Sequence, residues 1–218
     1  MRHPSVDETP GRVLVVGAGG FGREVRWWAR DALAGSPARV VGYLDADASL
    51  GTDELPVLGD PATHAPRADE SFVLAIGIPH VRRRVAESLL ARGARFLTLI
   101  HPSAIVVPSA RVASGAVVCP GAIVSDSAEI GPFGLLNYHA SVAHDTVVGA
   151  YAVLSPYATL AGHARVGDDA FLGLHASVGP GRRVGDRSKV AANSCALADV
   201  PPDSLAYGVP GRVARLFE

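Results

Sequence analysis

Four histidines in the second half of this 218-residue chain, His139, His144, His163 and His175, carry the most chemical potential. An imidazole titrates near neutrality. It can take a proton from an attacking amine or hydroxyl, or give a lone pair to a metal ion. His144 is followed directly by Asp145, a carboxylate placed to orient or polarise its ring. The spacings share one interval. Asp145 and His163 lie eighteen apart, as do His144 and Gly162, while His139, Tyr157 and His175 make two such steps in a row. A chain that returns to the same place every eighteen residues stacks each pair and gathers His144, Asp145, Gly162 and His163 into one patch. Gly162 would then bring a backbone N–H beside the imidazole, a donor for an oxygen on which charge develops.

The element that must position them runs from Ile100 to about Ala196. Stepping by six from Ile100 through Val106, Val112 and Val118 to Val190 meets an aliphatic residue at each of sixteen stops. Two residues before most stops stands a small one, as at Ala104, Ala110, Ala116, Ala122 and Gly134. Neither a helix nor an alternating strand keeps that register. A six-residue period belongs to a solenoid of short strands, with the aliphatic residue inside and the small residue expected at the corner. Three hexads per coil then give a parallel β-helix of roughly five coils, in which residues eighteen apart stack at about 4.8 Å. From about Val200 the chain is expected to leave the register, with Val213 to Phe217 as a short helical cap.

Ahead of the solenoid, a β-rich run from Arg12 to Val16 meets Gly17-Ala-Gly19-Gly20-Phe-Gly22 and then a helical stretch to Leu33. Strand, Gly-x-Gly-x-x-Gly and helix in that order cradle a phosphate against backbone N–H groups at a helix N-terminus. A second strand, Arg39 to Leu44, ends at Asp45, an acceptor for a ribose or a base edge. A third, Ser71 to Ile76, ends at Gly77. The helix Val81 to Leu90 and a short strand Arg95 to Leu99 complete a Rossmann-like α/β unit over residues 11–99, with the solenoid and its cap over 100–218. The solenoid stands where a dehydrogenase would place its second nucleotide half. The fingerprint therefore indicates a nucleotide or sugar-nucleotide pocket rather than redox chemistry.

Composition narrows the class. Twenty Lys and Arg balance 21 Asp and Glu, which gives no electrostatic case for nucleic acid or a membrane surface. No apolar run approaches the ~20 residues that span a bilayer. The first ten residues read as a disordered lead-in without the apolar core of a secretory signal. Cys119 and Cys195 are 76 apart, not a multiple of eighteen, so they read as free thiols of a cytoplasmic protein.

With the glycine-rich unit, the hexads and the tail Tyr207-Gly-Val-Pro-Gly211 taken together, the chain resembles the sialic-acid O-acetyltransferase and bacillosamine-type sugar N-acetyltransferase family of hexapeptide-repeat acyltransferases. The resemblance covers nearly the whole length beyond the first ten residues. It implies a left-handed β-helix, a homotrimer, and acetyl-CoA as co-substrate bound between adjacent subunits. The acceptor it implies is a nucleotide-linked amino sugar held by the first unit at Gly17, Gly19, Gly20, Asp45 and Gly77. Within Leu136-Asn137-Tyr-His-Ala-Ser-Val-Ala-His144-Asp145 it assigns the general base to His144, support to Asp145 and an active-site amide to Asn137. Gly162 matches the glycine that binds the acetyl carbonyl. Leu174, Ala192 and Pro210 join Gly162 as acetyl-CoA contacts, and no metal is expected.

Three other functions use the same residues. An O-acetyltransferase or other acyl-CoA transferase acting on a hydroxyl needs the same base and donor. A metal-dependent β-helix lyase or hydrase needs three imidazoles. The β-helix carbonic anhydrases space theirs as a histidine, a second thirty-six residues on and a third five beyond. His139 and His144 have the spacing of five, but Ser103 stands thirty-six before His139. If His139 and His175 are the spaced pair, Pro180 stands where the third ligand belongs. A non-catalytic nucleotide-binding scaffold would use the glycine loop alone.

Overall fold

The computed structural model describes residues 11–52 and 54–216, so the lead-in expected over the first ten residues lies outside them. The chain divides into two compact units, one from the N-terminal segment to Gly77 with Val81–Leu99, the other from Ile100 onward with Ile78–His80.

In the first unit, β1 (Arg12–Val16) forms the centre of a three-stranded parallel sheet. It lies between β2 (Arg39–Leu44) and β3 (Glu70–Leu74). Val13 to Val16 are fully buried, as a central parallel strand covered on both faces requires. Helix α1 (Gly20–Ala32) follows the glycine turn, and α2 (Pro79–Leu90) follows β3. The last short strand expected over Arg95 to Leu99 does not form as one piece. Phe96 makes an isolated bridge to Phe72, and Leu99–Ile100 already belongs to the solenoid.

Two glycines of the fingerprint are fixed by packing. Gly17 has φ of +103°, and a Cβ there would stand 2.8 Å from Ala75 O. A Cβ on Gly22 would stand 1.9 Å from the carbonyl oxygen of Gly17, because α1 crosses directly above the turn. Gly22→Ala is therefore expected to destabilise the chain by about 1–3 kcal/mol, the usual cost of forcing a methyl into filled space. Thermal unfolding of the variant against wild type measures it, and an unchanged midpoint would contradict this packing.

The second unit is a β-solenoid in which two-residue strands recur every six residues from Leu99–Ile100 to Cys195–Ala196. Residues eighteen apart pair in parallel, as Leu136 with Leu154, Val142 with Leu160 and Val148 with Val166. The first face begins at Leu99–Ile100, the second at Ile105–Val106 and the third at Arg111–Val112. The interior is a column of Val, Leu and Ile interleaved with Ala, nearly all wholly buried between Ala116 and Val190.

The small residues are not the corners. Ala122, Ala140, Ala158 and Ala176 are fully buried inside the prism. The chain turns on the residue just before each of them. Every sixth residue from Gly115 to Asn193 has a positive φ, and only Gly115, Gly121 and Gly181 of these fourteen are glycine. Left-handed backbone costs other residues about 1–2 kcal/mol each. A ladder of backbone hydrogen bonds offsets that cost. From Phe133 to Asn193 each such residue donates its N–H to a carbonyl of the coil before, as His163 to His144 O (3.0 Å), Asp145 to Asp126 O (2.9 Å) and Tyr157 to Tyr138 O (3.2 Å), while Gly121 and Ser127 donate to the hydroxyls of Ser103 and Ser109.

The solenoid also runs further than the hexads suggested, to about six coils. Val200 bridges Val184, and Ser204–Tyr207 continues the first face by pairing in parallel with Lys189–Val190. The offset there is sixteen, because the last corner is two residues shorter, which is why the six-residue register breaks while the coil persists. The cap is not helical. Arg212–Arg215 is a strand that pairs antiparallel with Ser204–Tyr207, and Phe217 lies outside the described residues.

Candidate active site

His144 and Asp145 turn the corner between the second and third faces, with Gly162 and His163 one coil further along the same corner. His144 Nδ1 lies 2.8 Å from Asp145 Oδ2, and His163 Nδ1 lies 3.8 Å from the same oxygen. The two imidazoles meet edge to face, with centroids 5.0 Å apart and planes at 87°. The positive φ of Asp145 (57°) and of His163 (61°) belongs to the corner itself, so the turn that builds the solenoid also presents these side chains outward.

The hydrogen bond from His144 holds the Asp145 carboxyl below the usual carboxylate range, and His163 acts in the same direction. Asp145 is therefore an acceptor near neutral pH. It has no proton to give, so the proton of that 2.8 Å bond sits on Nδ1. The lone pair of the neutral ring is then on Nε2, which faces Gly162. A Cβ on Gly162 would stand 2.6 Å from both Cε1 and Nε2.

The corner ladder leaves one amide per turn without a carbonyl partner, the residue just before each left-handed one. Several turns answer this with proline, which has no N–H: Pro120, Pro132, Pro156 and Pro180. Others use a side chain, as Asn137 Oδ1 accepts from Tyr138 N–H, Asp168 from Ala150 and Asp186 from Asp168. Among the described residues, the amides of Ser114, Asp126, His144, Gly162, Leu174, Asp186 and Ala192 have neither answer, and of these Gly162, Leu174 and Ala192 carry no polar side chain. Leu174 and Ala192 are stacked on the corner between the first and second faces, and Asn193 N–H reaches Leu174 O at 2.8 Å. The turn that carries Pro210 is held to that corner by Gly211 N–H to Cys195 O (2.8 Å) and Gly208 N–H to Ser194 Oγ (2.9 Å). Between the two corners the second face presents Ser141, Thr159 and Ser177, all small, along its outer surface.

Asn137 does not join the His144 patch. It turns the preceding corner and accepts from Tyr138 N–H at 2.8 Å. His139, Tyr157 and His175 stack there at 5.0 and 4.8 Å. A ring ladder of this kind accounts for His139 and His175 without chemistry.

In the first unit, no heavy atom outside their chain neighbours lies within 4 Å of a Cβ placed on Gly19 or Gly77, and Gly20 would meet only the tip of Arg23. Gly19 and Gly20 leave backbone open at the start of α1 and Gly77 leaves it open after β3, whereas Gly17 and Gly22 are committed to packing. Asp45 has a role that the sequence did not suggest: its two oxygens accept from Ala18 N–H (2.8 Å) and Asp47 N–H (3.0 Å), tying the glycine turn to the end of β2. A carboxylate has further lone pairs for a ligand. A cavity of about 610 Å³ lined by Arg26, Trp27, Arg30 and Arg39 lies at the opposite end of α1 from the glycine turn. Among the described residues no helix is long and apolar enough to cross a membrane.

A hexad solenoid bearing a histidine–carboxylate pair, preceded by a glycine-turn α/β unit, defines the class of hexapeptide-repeat acyltransferases. Residues 12–89 match the PglD N-terminal domain family. The chain is 30% identical over 135 residues to GDP-perosamine N-acetyltransferase of Escherichia coli O157:H7, and the match spans 61% of that enzyme and 60% of this chain. Among solved structures it is 33% identical to PerB from Caulobacter crescentus in complex with CoA and GDP-perosamine, with a TM-score of 0.84 over 94% of this chain and 97% of that one. It is 28% identical to the acetyltransferase domain of PglB from Neisseria gonorrhoeae in complex with acetyl coenzyme A, with a TM-score of 0.86 over 94% and 99%. The chain belongs to the sialic-acid O-acetyltransferase and bacillosamine-type sugar N-acetyltransferase family, and its solenoid is of the left-handed β-helix type.

Proposed function

We propose that this protein transfers an acetyl group from acetyl-CoA to the amine of a nucleotide-linked amino sugar, with His144 as general base. The observation that carries the proposal is the pairing of His144 Nε2, left with the lone pair of the ring by the Nδ1 bond to Asp145, with Gly162, whose amide has no hydrogen-bond partner among the described residues. The amine nitrogen attacks the thioester carbonyl carbon, and its proton passes to Nε2. The carbonyl oxygen becomes an oxyanion and takes a hydrogen bond from Gly162 N–H. Asp145 stabilises the imidazolium. Collapse of the tetrahedral intermediate breaks the C–S bond, and the imidazolium returns the proton to the departing thiolate, leaving an amide and free CoA.

The free amides of Leu174 and Ala192, with Pro210 beside them, extend the donor site along the neighbouring corner. Small Ser141, Thr159 and Ser177 keep the surface between the two corners low enough for an extended pantetheine arm or an adjoining chain. A homotrimer with donor sites between adjacent chains fits that surface, and Asn137, one corner away from His144 in its own chain, would reach a site built by two chains. The acceptor is assigned to residues 11–99, where Gly19 and Gly20 leave open backbone at the start of α1, Gly77 leaves it open after β3, and Asp45 fixes the turn; residues 100–218 carry the transfer. The complexes of the PerB and PglB relatives with CoA, GDP-perosamine and acetyl coenzyme A support these two substrate classes, and a cytoplasmic setting for the reaction is part of the proposal.

The test is CoA thiol release from acetyl-CoA with a panel of UDP-, TDP- and GDP-linked amino sugars. Release that depends on one amino sugar is the expected result. Release with the deaminated, hydroxyl-bearing counterpart and with no amine would move the protein to O-acetylation.

A further inference from the structure

We propose that the His144 corner is also a binding site for a divalent transition metal of the zinc type, and that the metal switches the base off. The transfer uses His144, Asp145 and Gly162 and leaves His163 without a task. Yet His163 stands on the same carboxylate. His144, Asp145 and His163 each offer one ligand atom, and these atoms all lie within 4.8 Å of one another; on both rings it is Nδ1 that stands on the Asp145 carboxylate. Two imidazoles and a carboxylate are an established zinc donor set, and bonds of about 2.0–2.1 Å in a tetrahedron put ligand atoms about 3.3 Å apart. The two distances to Asp145 Oδ2, 2.8 Å from His144 and 3.8 Å from His163, straddle that edge.

The backbone already fixes the three residues relative to one another. His163 N–H is bonded to His144 O at 3.0 Å, and the coil ladder holds Asp145 beneath His163. The side chains themselves are 46–67% exposed, so small rotations close the triangle without moving the core and leave a fourth position to water. This arrangement differs from the three-imidazole carbonic anhydrase pattern, which Ser103 and Pro180 interrupt.

The consequence for catalysis follows from the tautomer. The metal takes the Nδ1 lone pair of His144, so the single proton of the neutral ring must move from Nδ1 to Nε2. Nε2 then has no lone pair to accept the proton of the amine. Inhibition results while the acceptor and donor surfaces stay free. The switching half rests on the acetyl-transfer reading above; the binding half does not.

The experiment uses the full chain, freed of metal with a chelator and carrying no histidine tag. Co²⁺ binding is followed by the visible absorption of a tetrahedral site, and Zn²⁺ binding by calorimetry. Acetyl transfer is followed by formation of the amide product, so that zinc binding to the CoA thiol does not enter the reading. Wild type is expected to bind one ion per chain and to lose turnover reversibly. His163→Asn is expected to keep its metal-free turnover and to need at least about tenfold more Zn²⁺ for the same inhibition. A wild type that binds no Co²⁺, or a His163→Asn variant with unchanged metal affinity, overturns the site. One ion bound with turnover unaffected overturns the switch. If no acceptor in the panel supports turnover, the Co²⁺ spectra of the two proteins still decide the site, so failure of the transfer reading is told apart from failure of this one.

Discussion

His144→Ala is expected to lower acetyl transfer by about 10²–10⁴-fold, the usual contribution of a positioned general base, while leaving the fold intact. The two halves of that expectation come from different parts of the structure. The ring is 55% exposed on a corner, outside the aliphatic column that stabilises the solenoid, so its loss removes little buried surface. The corner needs from residue 144 chiefly its carbonyl, which accepts from His163 N–H, and alanine supplies that equally well. Turnover by product formation, set beside a thermal melt, separates the two. Near-wild-type turnover in a folded variant would remove His144 from the mechanism.

Gly162→Ala should have the next largest effect, about 10²-fold on turnover, through position alone. The added methyl would stand 2.6 Å from Cε1 and Nε2 of His144, so the ring must swing away from residue 162 or give up its bond to Asp145. Gly162 is not among the positive-φ residues, so alanine fits the backbone there, and it retains the N–H. The variant thus keeps the amide proposed as donor and displaces the ring proposed as base. A melt close to wild type with reduced turnover is the expected pattern. Full activity would mean that the ring does not lie against residue 162 during transfer.

Both sites could be found in the sequence because a coil of fixed length makes distance along the chain and distance in space interchangeable. Counting eighteens was enough to bring His144 to Gly162, Asp145 to His163, and Tyr157 between His139 and His175. Features that depend on backbone conformation rather than on residue type were harder to see. The left-handed corner is occupied by Ser127, Phe133, Asp145, Tyr157 and Arg187 alike, so composition cannot mark it, whereas the buried alanine beside it is conspicuous and drew the corner assignment. The tail misled for a related reason. Once the corner after Ala196 lost two residues the six-step pattern vanished, although Lys189–Val190 still found its strand partner at Ser204–Tyr207. Asp45 shows a third kind of gap. A carboxylate at the end of a strand looks the same in sequence whether it awaits a ligand or, as here, accepts the amides of Ala18 and Asp47.

The eighteen-residue coil also sets which changes of length this chain can survive in evolution. His144 and Gly162 lie against each other because they are one full coil apart. Removing a single hexad between them would keep every aliphatic residue inside the prism and leave a well-packed solenoid, but it would carry Gly162 round to the neighbouring corner. Whole-coil gains and losses elsewhere preserve the site, and trimming within a corner is absorbed, as the shortened turn before Val200 shows. Length variation among active descendants should therefore come in multiples of eighteen or be confined to corners, whereas stability alone would accept any multiple of six.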